Sequence, residues 1–99
     1  MTELQRMSKI LFGQVHRLAV MDYIARSADG LINPTDLSVA LGFAAQSAVQ
    51  APLRDLEQAN LITALPSVGG RTYFQRTDSL VWPWIVSVVD SVSSARSKA

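Results

Sequence analysis

Asn33-Pro34-Thr35-Asp36-Leu37-Ser38-Val39-Ala40-Leu41-Gly42-Phe43-Ala44-Ala45-Gln46-Ser47-Ala48-Val49-Gln50-Ala51-Pro52-Leu53-Arg54-Asp55-Leu56-Glu57-Gln58-Ala59-Asn60 holds the pattern that decides the fold. It opens on a strong helix start. Asn33 can cap, Pro34 fits the first helical position, and Asp36 suits the positive end of the helix dipole. Leu37, Ala40 and Leu41 are expected to point inward from this short helix. Gly42 ends it, and Phe43 and Ala44 make a tight turn. A second helix is expected from Ala45 or Ser47 to Ala59, with Val49, Leu53 and Leu56 as its apolar stripe. Ser47 and Gln50 have the spacing of a capping box, which favours the later start. Asn60 is suited to a left-handed terminator. Pro52 lies inside this helix and removes its bond to the Ala48 carbonyl.

Downstream, segments 61–66 and 71–76 read as two strands around Ser67-Val68-Gly69-Gly70, a turn with two permissive glycines. Arg71, Tyr73 and Gln75 would share one face of the second strand. Thr77-Asp78-Ser79 offers caps for a last helix over 79–95, with Pro83 near its first turn. Upstream, residues 2–11 carry Leu4, Met7, Ile10 and Leu11 at helical spacing. Gly13 interrupts. A second helix is expected over 14–27, with Val15, Leu18, Val20, Met21 and Ile24 as its apolar face and Gly30 as a left-handed stop. The expected order is helix, helix, helix-turn-helix, hairpin, helix. That is an α+β chain, mostly α, in one domain spanning 1–99.

Of the 99 residues, 48% are hydrophobic and 17% charged, against a typical charged share of about 25%. So apolar a small chain implies a buried interface as well as a core. The net charge is +1, so any affinity for nucleic acid must come from a local basic patch. There is no cysteine and one histidine, which leaves no thiolate metal site, disulfide or His-rich site. No apolar run approaches the roughly 20 residues of a membrane span. Met1 to Lys9 lacks the apolar core of a signal peptide, so the expected location is the cytoplasm. No Ser/His/Asp arrangement, phosphate-binding glycine loop or acid pair is evident. An enzyme is therefore not expected, nor is a cofactor. His16, Asp22 and Tyr23 read as structural residues.

Three segments resemble the ArsR/MarR-type winged helix-turn-helix transcription regulators of prokaryotes. Phe12-Gly13-Gln14-Val15-His16-Arg17-Leu18-Ala19-Val20-Met21 is similar to their core helix. Leu37-Ser38-Val39-Ala40-Leu41-Gly42-Phe43 is similar to their leading helix and turn. Ser47 to Ile62 is similar to their recognition helix and first wing strand. The resemblance implies a helix-turn-helix over 34–59, a wing over 61–76 and dimerisation helices over 2–11 and 79–95. It does not imply metal sensing, because the ligating cysteines are absent. Asn60 stands where the family usually has Gly, Ala44 is an extra turn residue, and the Pro52-Leu53 pair also occurs in PadR-like regulators.

In that setting Gln46, Ser47, Gln50, Ala51 and Arg54 form the exposed face of the recognition helix. Gln suits adenine, Arg suits guanine, and Ala can touch a thymine methyl. The same face could equally be only a solvated surface. Arg71 stands where a wing reaches phosphate or the minor groove, or is an ordinary turn cation. Thr35 is a further phosphate candidate. Arg17 and Arg76 either add positive field or are structural. Trp82, Trp84, Ile85, Val88, Val89 and Val92 are expected to serve both the domain core and a homodimer interface, with Leu4, Met7 and Leu11 at the same interface, or else all serve a purely internal core.

The expectation is a dimeric, sequence-specific duplex DNA-binding regulator, a repressor, with the recognition helix in the major groove and the wing on the backbone or minor groove. The alternative is a winged-helix protein-interaction module without DNA. A third reading adds a small-molecule effector in a pocket between the terminal helices near Trp82 and Trp84.

Overall fold

A computed structural model of the chain describes residues 1–45 and 47–97, with 94–97 described by backbone alone. Eight elements follow in order: α1 (Glu3–Phe12), α2 (Arg17–Arg26), β1 (Leu31–Ile32), α3 (Pro34–Ala40), α4 (Ser47–Gln58), β2 (Ile62–Ala64), β3 (Phe74–Arg76) and α5 (Val81–Ser97). The α+β, mostly helical class holds.

Local chemistry sets most boundaries. α1 begins with a capping box, in which the Thr2 hydroxyl accepts the Gln5 N–H and the Gln5 side chain accepts the Thr2 N–H. Helix α2 starts three residues later than expected. Gly13 ends α1, and buried Ser8 then organises the junction. Its hydroxyl donates to the Gln14 carbonyl and accepts the Leu18 N–H. Gln14 to His16 are therefore held as a connection, outside the helix. Asn33 caps α3 by accepting the Asp36 N–H at 3.0 Å, and Pro34 takes the first turn. Leu37 is buried and Leu41 half-buried, but Ala40 is exposed, contrary to its expected inward position. Helix α4 runs unbroken through Pro52, whose ring joins Val49, Leu53 and Leu56 on the buried face. Asn60 closes α4 at φ 63°.

The sheet has three antiparallel strands in the order β1-β3-β2, where the sequence suggested only a hairpin. Strand β1 pairs Leu31 with Gln75 and Ile32 with Phe74. On the other side of β3, Ile62, Thr63 and Ala64 pair with Arg76, Gln75 and Phe74. Gly30 leads into β1 at φ +71°, and an added Cβ there would lie 2.8 Å from Gln75 Nε2. The hairpin ladder continues outward through Leu65 N–H to the Tyr73 carbonyl at 2.9 Å. It closes at the tip, where Val68 and Arg71 exchange backbone bonds of 3.2 and 3.0 Å. Gly69 and Gly70 between them both have positive φ, as a twisted two-residue hairpin turn requires.

The core is continuous. Leu18, Val20, Met21 and Ile24 of α2 meet Leu37 of α3, Val49, Leu53 and Leu56 of α4, Ile32 and Ile62 of the sheet, and Trp82, Ile85 and Val89 of α5. Helix α2 packs against both α1 and α5. Helix α5 begins at Val81, two residues later than expected, where the Ser79 hydroxyl accepts the Val81 N–H at 3.1 Å. Trp82 is anchored by its indole N–H, which donates to the Thr77 carbonyl at 2.9 Å.

Candidate nucleic-acid interface

Because Val49, Pro52, Leu53 and Leu56 are buried, α4 turns its remaining side chains outward. Ser47, Gln50, Ala51 and Arg54 are all exposed. They stand at offsets of zero, three, four and seven, so they share one face. Gln46 lies outside the described residues. Asp55 is turned aside, because Arg17 of α2 holds it at 2.6 Å. The same guanidinium takes the Gln14 side-chain oxygen at 2.9 Å. Arg17 is thus a brace between α2 and α4.

The hairpin closes over the same side of the molecule. Asn33 Nδ2 donates to the Thr72 carbonyl at 2.9 Å, which ties the start of α3 to the wing. Thr35, Gln50, Arg54 and Arg71 consequently open onto one cleft of about 460 Å³, floored by Leu53 and Phe74. Four of the expected contact residues are therefore brought together by α3, α4 and the wing. Glu57 also lines this cleft, so the far end of α4 brings a carboxylate against any polyanion. Arg71 is exposed. Its guanidinium lies 5.8 Å from the centre of the Tyr73 ring and 3.4 Å from the Asp36 carboxylate.

Arg76 is not part of this surface. Its Nη1 donates to the carbonyls of Ile24, Ala25 and Ser27 at 2.8–3.0 Å, closing the C-terminus of α2. Of its two readings, the structural one holds. The dual role of Asn33 and the pairing of Asp36 with Arg71 were not legible from sequence, since both link positions about 35 or more residues apart.

The residues expected at a dimer interface divide into two groups. Trp82, Ile85 and Val89 are buried within the chain's own core, at 5%, 0% and 8% exposure. As placed, they serve that core. Leu4, Met7 and Val88 are half-buried against the same core, and Val92 is half-buried. Leu11 and Trp84 are exposed, Trp84 by 46% and edge-on to Phe12 at 6.5 Å. Ile10 and Leu80, absent from the expected set, are exposed too, Leu80 by 89%. A space of about 460 Å³ is lined by Trp82, Arg76 and Pro83 on the side of Ala25, and Trp84 does not line it.

No family model matches the chain, and no curated protein matches it. Among solved structures, the chain is similar to the AntR antimony-specific transcriptional repressor. That likeness has a TM-score of 0.70 at 22% identity, and covers 93% of this chain and 79% of AntR. The fold is a winged helix-turn-helix. Helices α3 and α4 are its helix-turn-helix pair, and β2, β3 and their connection form the wing. The winged-helix chain contains no cysteine, and no group of three or more His, Asp or Glu side chains suited to a metal occurs among the described residues. No helix among those residues is long and apolar enough to cross a membrane.

Proposed function

We propose that this chain is a sequence-specific duplex DNA-binding regulator of transcription, acting as a homodimeric repressor in the cytoplasm. The observation that carries this reading is the cleft. The exposed polar face of α4 and the wing cation Arg71 open to the same side, with Thr35 between them. Two elements facing one way can engage one duplex, with α4 in the major groove and the wing on phosphate or in the minor groove. Gln50 and Arg54 are the base readers, Ala51 packs on a thymine methyl, and Ser47, Thr35 and Arg71 hold the backbone. Likeness to a solved repressor structure is consistent with this role.

The dimer reading is supported by Ile10 and Leu11 of α1, Trp84 of α5, and Leu80 just before α5, which leave large apolar side chains in water. A second copy covering them would set two α4 helices on one duplex. Because each protomer carries a net charge of only +1, two protomers also double the number of cations available to phosphate.

The test is fluorescence anisotropy of labelled duplex DNA at low salt. Arg71→Ala is expected to weaken binding to all sequences and to reduce the salt slope by about one for each phosphate it no longer neutralises. Gln50→Ala and Arg54→Ala are expected to cost about 1–3 kcal/mol on a selected site and to relax selectivity. If wild-type protein shows no DNA affinity at low salt, a protein-interaction module using the Leu80–Trp84 surface becomes the better reading.

A further inference from the structure

We propose that Asp36 is a positioning residue that restrains the wing cation Arg71, an inference resting on the DNA-binding role above. The two side chains meet from different elements. Arg71 Nη2 lies 3.4 Å from Asp36 Oδ1 and 3.5 Å from Oδ2. One residue builds the frame that holds them there. Asn33 Oδ1 accepts the Asp36 N–H at 3.0 Å, while Asn33 Nδ2 donates to the carbonyl of Thr72, the neighbour of Arg71. The backbone exchange between Val68 and Arg71 closes the tip on the other side. These anchors bring the Asp36 carboxylate and the Arg71 guanidinium within reach of each other.

The pair is long and more than half exposed at both ends, at 53% for Arg71 and 61% for Asp36. Such an ion pair is weak and readily exchanged. It holds Arg71 beside the cleft that Gln50 and Arg54 line, yet a phosphate must displace a carboxylate to take it. That cost falls on every duplex that takes Arg71, so Asp36 depresses affinity for duplex DNA whatever its sequence.

A double-mutant cycle on a mixed-sequence duplex at low salt tests this, with wild type, Asp36→Asn, Arg71→Ala and the double variant, all checked for folding by circular dichroism. Asp36→Asn is expected to tighten binding by about 5-fold and to steepen the salt dependence, with most of that gain disappearing when Arg71 is absent. Asp36→Glu, which keeps the charge, is expected to gain little. An equal gain with and without Arg71 would mean that Asp36 merely repels phosphate, and would overturn the positioning role. No gain, or weaker binding, would overturn the inference outright. Wild-type protein that fails to bind the duplex would instead remove the DNA-binding role itself, a result read before any variant is made.

Discussion

Arg76 Nη1 donates to the Ile24 carbonyl at 2.8 Å, and this one hydrogen bond joins the innermost strand of the sheet to the end of the central helix. The same nitrogen reaches the carbonyls of Ala25 and Ser27. The Ile24 carbonyl also accepts the N–H of the cap residue Ser27 at 3.2 Å, and Arg76 adds a side-chain donor where a helix leaves its last C=O groups short of partners. A cation at that end also meets the negative pole of the helix dipole. Arg76→Ala is expected to destabilise the fold by about 2–3 kcal/mol, as a charged hydrogen-bond donor at half-buried acceptors would. In a chain this size each kcal/mol lowers Tm by about 4–8 °C. Thermal unfolding at fixed protein concentration checks it.

Asn33 offers a way to separate helix capping from wing anchoring. Its carbonyl oxygen caps α3 and its amide nitrogen holds Thr72. Asn33→Ala loses both and is expected to cost about 1–2 kcal/mol. Asn33→Asp keeps the capping oxygen but loses the donor, so α3 should persist while the wing loosens. Hydrogen exchange would show this as faster exchange at Val68 and Arg71, with amides of α3 unchanged.

Trp84 and Ile85 are neighbours in sequence with opposite surroundings. Ile85 is fully buried, so Ile85→Ala is expected to cost about 2–5 kcal/mol of protomer stability. Trp84 is 46% exposed, so Trp84→Ala should disturb the core little but weaken self-association. Sedimentation equilibrium at micromolar concentration separates the two. Reduced stability with undiminished association in Trp84→Ala would count against the proposed dimer face.

Asp29 gives the fold a defined acid response. The Leu31 N–H and the Ser27 hydroxyl both donate to its carboxylate and hold its pKa below the ordinary value, with the Leu31 bond as the larger cause. A carboxyl with a lowered folded pKa stabilises the fold above its unfolded pKa of about 3.9 and loses that contribution as pH falls through the folded value. The stability difference between wild type and Asp29→Asn should therefore shrink on acidification from neutral pH towards pH 3. Urea midpoints measured along that range check it.

How much of this was legible in sequence depends on the range of each interaction. The α3–turn–α4 unit could be read because its signals are local: Asn33 and Pro34 at the start, a stripe at three-and-four spacing, and Asn60 at the end. Strand β1 could not, since Leu31 and Ile32 are too few to show a period and are extended only because β3 pairs with them. The start of α2 is hidden from local pattern for the same reason, as Ser8 acts across ten residues on Leu18. At the candidate site, the exposed face of α4 followed from periodicity. Its convergence with Arg71 depended on Asn33 reaching Thr72, an interaction without a sequence pattern. In α5 the apolar residues lie on more than one face. Periodicity could not divide the core set of Trp82, Ile85 and Val89 from exposed Trp84.

Selection of bound duplexes from a random library, using the full chain at low salt, tests the central claim most directly. A DNA-reading dimer predicts enrichment of a near-palindrome whose half-sites are centred about one helical turn, roughly 34 Å, apart. Disappearance of that enrichment in Arg54→Ala, with folding intact, is predicted with it. Recovery of unenriched sequence, or of a single asymmetric half-site bound by a monomer, would contradict it.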